Sequence, residues 1–297
     1  MVTGAPKRLS RIVSLASAMT LGLAAIMPTS TMAAAYASPQ PPASHWITST
    51  NYRYPGNDGK HHAVSWDKYS YMIDDHHLNI WSGEVHYWRL PSPHQWRDVL
   101  QKMKAAGFNA VSFYFFWGYH QSAPDSPFDF SGIRNIDLLL RMAAEEGLYV
   151  IARPGPYINA EISMGGMPAW QTNSSLPLRN AWDNTNWQQQ RAWLHAVNKI
   201  IARHQVTNGG GSVLLYQVEN EELASVGPYA DYVKKIIKAA KEDGINVPIF
   251  HNDYAPVGNW AFTTKDTGLD VYSYDDYPIR FDCSATRHKL QDHNWHI

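Results

Sequence analysis

Cysteine is all but missing from these 297 residues: Cys283 stands alone, so the chain can close no internal disulfide. Metal-binding spacings are missing as well. No His-Glu-x-x-His and no Cys-x-x-Cys occurs, and the adjacent pairs His61-His62 and His76-His77 point apart on a strand, so neither a metal nor another cofactor is expected. The absence of Gly-x-Ser-x-Gly argues against a serine hydrolase. No Gly-x-x-x-x-Gly-Lys-Ser/Thr and no glycine-rich loop after the first strand is present, which argues against a nucleotide-binding sheet. Charge of either sign is balanced to a formal net of -1, so nucleic acid is not the expected partner. Nor is there an apolar run that spans a membrane: Ile12 to Met27 is short and broken by Ser and Thr.

That stretch instead reads as the core of a secretory leader over residues 1–37. Lys7, Arg8 and Arg11 make its basic start, and Ala33 to Ala37 offers Ala-x-Ala cleavage sites. The protein is therefore expected to be secreted and extracellular, with no membrane contact once processed. Residues 38–60 follow as a linker and entry segment, opening with Pro39, Pro41 and Pro42. What the chain has in surplus is aromatic side chains, 12 Trp and 17 Tyr. Such rings stack on the apolar faces of sugars, and a tryptophan-rich core is the plainer alternative.

From residue 61 onward two apolar periods alternate. Strands are expected over 78–86, 109–117, 148–152, 212–218, 247–251 and 269–274, and helices over 93–106, 134–146, 187–204 and 228–243. Residues 153–175 read as a long Gly-, Pro- and Asn-rich loop, which holds one glycosylation sequon at Asn173-Ser174-Ser175. Strand and helix alternating through short connections argue for a parallel sheet of βα units, either a barrel or an open doubly wound sheet. The pattern is expected to cover 61–283, an incomplete (β/α) barrel of about six strands. The tail 284–297 is polar and without apolar period.

In parallel units the carboxyl ends of the strands share one face, so the residues just after each strand are the ones to compare. They are Glu84 and His86; Tyr114 and Trp117; Arg153, Tyr157, Asn159 and Glu161; Asn220 and Glu221; His251, Asn252 and Asp253; and Asp275 and Tyr277. Acids, amides and aromatics in one place suit a hydroxyl-rich ligand. Glycoside hydrolysis needs a carboxylic acid to protonate the leaving oxygen and a second carboxylate to attack or to activate water. Glu221, at the end of the buried run Val213 to Val218, is the candidate acid, and Asn220 beside it would bind a ring hydroxyl. Glu219 and Glu222 are equally acidic, and the spacing alone does not choose among the three.

Several segments together resemble family 35 of the glycoside hydrolases, the β-galactosidases, and its fungal secreted branch most closely. They are Trp81-Ser-Gly-Glu-Val-His-Tyr-Trp-Arg-Leu-Pro91, Gly107-Phe-Asn-Ala-Val-Ser-Phe-Tyr114, Ala152-Arg-Pro-Gly-Pro-Tyr-Ile-Asn-Ala-Glu161, Tyr216-Gln-Val-Glu-Asn-Glu221 and Gly268-Leu-Asp-Val-Tyr-Ser-Tyr-Asp-Asp-Tyr-Pro278. The resemblance implies a (β/α)8 TIM barrel, retention of anomeric configuration, and release of terminal β-D-galactose from a β-galactoside oligo- or polysaccharide. It implies Glu221 as proton donor, and Tyr114, Asn159, Ala160, Glu161, Asn220 and Tyr277 as galactose-binding positions.

The departures from the family pattern are specific. The family's nucleophile is a Glu at the end of the seventh strand, and the chain stops after about six. Cys283 resembles one half of a family disulfide whose partner would lie further on, and the adjacent-cysteine bridge of fungal members has no counterpart in Glu222-Leu-Ala-Ser-Val-Gly-Pro228. The chain is therefore expected to be a truncated gene product. Two alternatives accompany the galactosidase reading: a catalytically inactive fragment or sugar-binding remnant, and another retaining barrel glycosidase with Asn-Glu after strand four, of cellulase or mannanase type.

Overall fold

The computed structural model describes residues 56, 58–173, 178–223, 225–255, 258–261 and 264–276. The expected leader, most of the 38–60 segment, Tyr277, Cys283 and the polar tail lie outside the described residues, as does the side chain of Asn173.

The chain enters through a three-stranded antiparallel meander, β1 (Val64–Trp66), β2 (Tyr71–Ile73) and β3 (His76–Leu78). The β2–β3 hairpin turns on two residues, Asp74 and Asp75, both left-handed at φ 51° and 64°. Left-handed torsions at both positions match the twist of a tight hairpin, and Asp tolerates them better than most residues. His62 ties the meander down, bonded to Asp74 at 2.6 Å and Asp58 at 3.0 Å. The expected strand over 78–86 is thus two elements: Leu78 closes β3, and the barrel begins at β4 (Ser82–Glu84). An Asp-Asp turn without glycine gave no local signal for this hairpin.

Six parallel strands then pair in chain order: β4, β5 (Ala110–Tyr114), β6 (Tyr149–Arg153), β7 (Val213–Gln217), β8 (Ile249–Asp253) and β9 (Val271–Tyr274). A doubly wound sheet reverses its order at a switch point, and this one never does. These are six successive strands of a (β/α)8 barrel. Helices α1 (Pro93–Ala105), α2 (Trp117–His120), α3 (Ile136–Glu145), α4 (Asn184–Ile201), α5 (Gly227–Glu242) and α6 (Thr264–Thr267) lie between them.

Local chemistry sets the helix ends. Ser92 caps α1 by accepting from Gln95 N, with Pro93 in the first turn; Asn135 caps α3 and Asp183 caps α4 in the same way. Gly107, at φ 95°, turns the chain out of α1 in a conformation that a side chain would resist. Every residue of β5 and of β7 is buried, as expected for strands covered on both faces. Each fully buried Val, Leu or Ile is worth about 1.5–3 kcal/mol of transfer free energy. The sheet is therefore held by these continuous apolar runs more than by any helix's own propensity.

Tryptophan fills the layer between sheet and helices. Trp96, Trp117, Trp193 and Trp260 are fully buried, and Trp117 stacks on Trp193 with centroids 6.3 Å apart. Their indole N–H groups then fasten strand-end loops: Trp193 donates to Pro154 O at 3.0 Å and Trp260 to Glu222 O at 2.7 Å. No helix among the described residues is long and apolar enough to cross a membrane.

Candidate active site

The carboxyl ends of the six barrel strands frame a cleft of about 330 Å3. Its lining residues are Glu84, Tyr114, Arg153, Asn159, Ala160, Glu161, Asn220, Glu221, Tyr274, Asp275 and Asp276. All the expected site residues that the structure describes meet here: Tyr114, Asn159, Ala160, Glu161, Asn220 and Glu221.

Two turns carry most of them, and both use backbone conformations that ordinary residues avoid. After β6, Asn159, Ala160 and Glu161 are left-handed in succession, at φ 55°, 52° and 48°. Such torsions cost roughly 1–2 kcal/mol per residue with a Cβ, so the surroundings must impose them. Arg89 does so in part, donating through Nη2 to Ala160 O at 3.0 Å and Glu161 O at 3.4 Å. After β7, Glu219 and Glu221 are left-handed as well, at φ 58° and 52°.

The three acids of that second turn part company. Glu219 points inward, its side chain fully buried, and receives Arg179 through Nε at 2.7 Å and Nη2 at 2.6 Å. Burial still pushes its carboxyl up, to about 7, against the pull of that guanidinium. Glu222 is buried too, lies 3.4 Å from Arg179, and donates its backbone N–H to His251 Nε2 at 3.1 Å. Only Glu221 turns into the cleft. Partial burial, a hydrogen bond with Asp275 and the charge of that neighbour raise Glu221 to about 7, against the opposing effects of Asn159 and Arg153. Of the three acids, Glu219 is fully buried, Glu222 lines a separate cavity beside Arg179, and Glu221 alone lines this cleft.

Asn220 is the hub of the floor. Its Oδ1 accepts from Arg153 Nη2 at 2.9 Å, Gln217 Nε2 at 3.4 Å and Asn252 Nδ2 at 3.5 Å. Asn220 itself lines the cleft. Arg153 also donates to Glu84 Oε2 at 3.1 Å and lies flat over Tyr114, 3.9 Å from the ring centroid. Burial raises the Tyr114 phenol above its usual range, so its hydroxyl keeps its proton and stays a donor.

Six described residues of the strand-end set do not line the cleft: His86, which bonds Glu84 at 2.7 Å, Asn252, which bonds Asp275 at 2.7 Å, and four others. Trp117 is core, stacked on Trp193. Tyr157 lies under the Arg179 guanidinium at 4.1 Å from its centroid. His251 is buried against Trp260, and Asp253 accepts from Tyr272 OH at 2.9 Å. The aromatic surplus is likewise core first: Tyr114 and Tyr274 are the aromatics that line the cleft, and no described Trp does. Sequence reasoning missed Arg179, Gln217, Tyr274 and Asp276. Arg179 carries no local signal, since its partner lies forty positions on; Gln217 could have been found as the polar end of a buried strand.

Residues 70–294 match the family described as Glycosyl hydrolases family 35. The chain is similar to proteins named probable beta-galactosidase C, at 43% identity in Aspergillus clavatus and 37% in Penicillium rubens. Those matches cover 76% and 82% of this chain, and 24% and 25% of the relatives. The chain thus spans about a quarter of the length of the curated relatives it matches. Among solved structures, the exo-beta-1,4-mannosidase of Opitutaceae bacterium strain TAV5 superposes with a TM-score of 0.53 at 16% identity, over 68% of this chain and 39% of that one. At that identity the likeness is one of fold, the (β/α)8 barrel.

Proposed function

Since the chain belongs to family 35 of the glycosyl hydrolases, whose substrates are glycosides, we propose that the protein releases terminal β-linked galactose with retention, using Glu221 as acid and then as base. The observation that carries this reading is the placement of Glu221: of three neighbouring acids it alone lines the cleft, and its carboxyl is raised to about 7 there. An acid so placed is protonated near neutrality and can regain its proton after giving it up.

In this reading the Glu221 O–H bond breaks, its proton bonds the glycosidic oxygen, and the electron pair of the breaking carbon–oxygen bond stays on that oxygen. A second carboxylate, about 5–5.5 Å from the first, takes the anomeric carbon; water later displaces it and gives its proton to Glu221. The family resemblance puts that second carboxylate on the seventh strand, and no described residue is given the role. Asn220 Nδ2, Asn159, the turn at Ala160, Glu161 and the Tyr114 hydroxyl are proposed to bind galactose hydroxyls, with Tyr277 closing the site. The leader over 1–37 supports secretion, Asn173 is a proposed glycan site, and Cys283 is proposed to pair with a cysteine further on.

Hydrolysis of p-nitrophenyl β-galactoside, β-glucoside and β-mannoside by the chain carried through its seventh strand tests the reading. Galactoside preference, a β-configured first product and loss of both in Glu221→Gln are expected. Preference for glucoside or mannoside would favour the cellulase or mannanase reading instead.

A further inference from the structure

Glu221 has a carboxylic neighbour for which the reaction above finds no use. Asp275, just past β9, lines the same cleft as Glu221, and its carboxylate is one of the influences that raise the Glu221 carboxyl. The strand between them supplies a clamp. Asn252, on β8, donates from Nδ2 to Asp275 Oδ2 at 2.7 Å. Through Oδ1 the same amide accepts from Gln217 Nε2 at 2.6 Å and from the Glu221 backbone N–H at 3.4 Å. The Asp275 backbone is itself pinned, its N–H donating to Asp253 O at 2.7 Å. One side-chain amide thus fixes the main chain of the acid and the side chain of its neighbour.

Ionised carboxylates have no hydrogen to give, so two of them bond one another only when one carries a proton. Two carboxyl groups held side by side by one amide are best accommodated with a single proton between them, and burial favours that proton on Glu221. The other charged groups around the pair are accounted for. Arg153, from β6, is engaged by Glu84 and Asn220, while Glu161 and Asp276 add negative charge to the same cleft. Burial first, and then the Asp275 carboxylate, raise Glu221, while Asn159 and Arg153 oppose them.

We propose that Asp275 is a positioning residue for the acid: the pair shares one proton, and Asp275, held by Asn252, keeps that proton on Glu221 until the leaving oxygen takes it. The proposal rests on the reading of Glu221 as acid and then base. Once Glu221 has given its proton, two anions face each other. That repulsion drives Glu221 to take a proton from the attacking water, while Asp275 begins and ends the cycle unchanged. One neighbour thereby serves both halves of a retaining reaction.

A titration of the full chain labelled with 13C at the glutamate side-chain carboxyls tests this, the Glu221 signal being assigned by its loss in Glu221→Gln. In the unmodified chain its midpoint is expected well above the ordinary carboxyl value. In Asp275→Asn it should be lower by about one pH unit or more, since the like charge is gone. Asp276→Asn, which changes an acid in the same cleft outside the pair, should leave the midpoint nearly in place. Should Asp275→Asn fail to fold, the infrared absorption of protonated glutamate near pH 6, read as the difference between the unmodified chain and Glu221→Gln so that the Glu219 contribution cancels, tests the shared proton directly. Equal midpoints in the unmodified chain and Asp275→Asn, or no such difference, would overturn the proposal. A midpoint that falls as expected in a protein that cleaves no galactoside would keep the pair and remove the function.

Discussion

Arg179 grips both carboxylate oxygens of Glu219 and, from the same Nη2, the Asn220 carbonyl at 2.6 Å. It also stacks on Tyr157 in the other turn of the cleft. One guanidinium therefore holds together the two turns that carry Asn159, Ala160, Glu161 and Asn220, without itself lining the cleft.

Removing that grip should cost more than an ordinary surface pair. Arg179→Met leaves the fully buried Glu219 carboxylate uncompensated, a change worth about 3–5 kcal/mol when a buried pair loses one partner. Arg179→Lys keeps the charge and loses the fork, so it should fall between. Chemical denaturation measures the first effect and calorimetric titration with galactose the second. Unaltered galactose binding in a folded Arg179→Met would show that the turn does not need its clamp.

The role of Glu221 predicts a dependence on the leaving group. In the chain carried through its seventh strand, Glu221→Gln should slow cleavage of alkyl galactosides by about 10²–10⁴-fold, the usual worth of a general acid. Activated aryl galactosides need less protonation and should lose less. Comparable losses on both substrates, in steady-state kinetics, would take the acid role away from Glu221.

Glu221 should weaken the fold as pH rises through neutrality, while the buried His120, His204 and His251, held below the ordinary imidazole value, act the other way. Glu221 is lifted from 4.5 to about 7 in the folded state, so the native protein binds that proton more tightly than the unfolded chain does. Its contribution is complete below the unfolded value and is lost as pH climbs through about 7. Glu219, lifted to about 7 by burial, acts in the same direction. Melting temperatures recorded between about pH 5 and 8 should differ in slope between the two proteins, with Glu221→Gln, which has no proton to lose, falling less or rising more than the unmodified chain. A slope unchanged by that substitution would contradict the assignment.

Trp193→Phe keeps most of the core volume but orphans the Pro154 carbonyl that the indole N–H now satisfies. An unsatisfied buried acceptor costs about 1–3 kcal/mol. Because Pro154 opens the turn leading to Asn159, galactose affinity should weaken along with stability. Thermal melting and calorimetric titration on one sample would separate this from a purely structural loss, in which affinity holds.

The barrel was largely legible because its strands are buried on both faces. The run Val213 to Val218 and the runs around Val111 and Val150 announce themselves by continuous apolarity, and Gly107 and Gly147 mark where helices stop. The short strands of the entry meander escaped, since three residues cannot show a period and Asp74-Asp75 lacks the glycine that usually signals such a turn. At the site, the residue types at strand ends pointed to Asn220 and Glu221. Their directions did not follow from sequence: that Glu219 turns inward depends on Arg179, which local patterns do not connect to it. The same limit hid Asn252 as the amide between Glu221 and Asp275, although it stood among the strand-end residues.

The successive left-handed residues Asn159, Ala160 and Glu161 carry an implication for engineering. A loop whose backbone its own sequence disfavours cannot be moved to another scaffold as a short segment and keep its shape. Excised, residues 155–165 would relax into right-handed or extended forms, because Arg89 and Arg179, which hold the segment from outside, would stay behind. The smallest portable version of this cleft is therefore the part of the barrel that contains those arginines, and attempts to change what it binds are better aimed at side chains on the strand ends than at the loop itself.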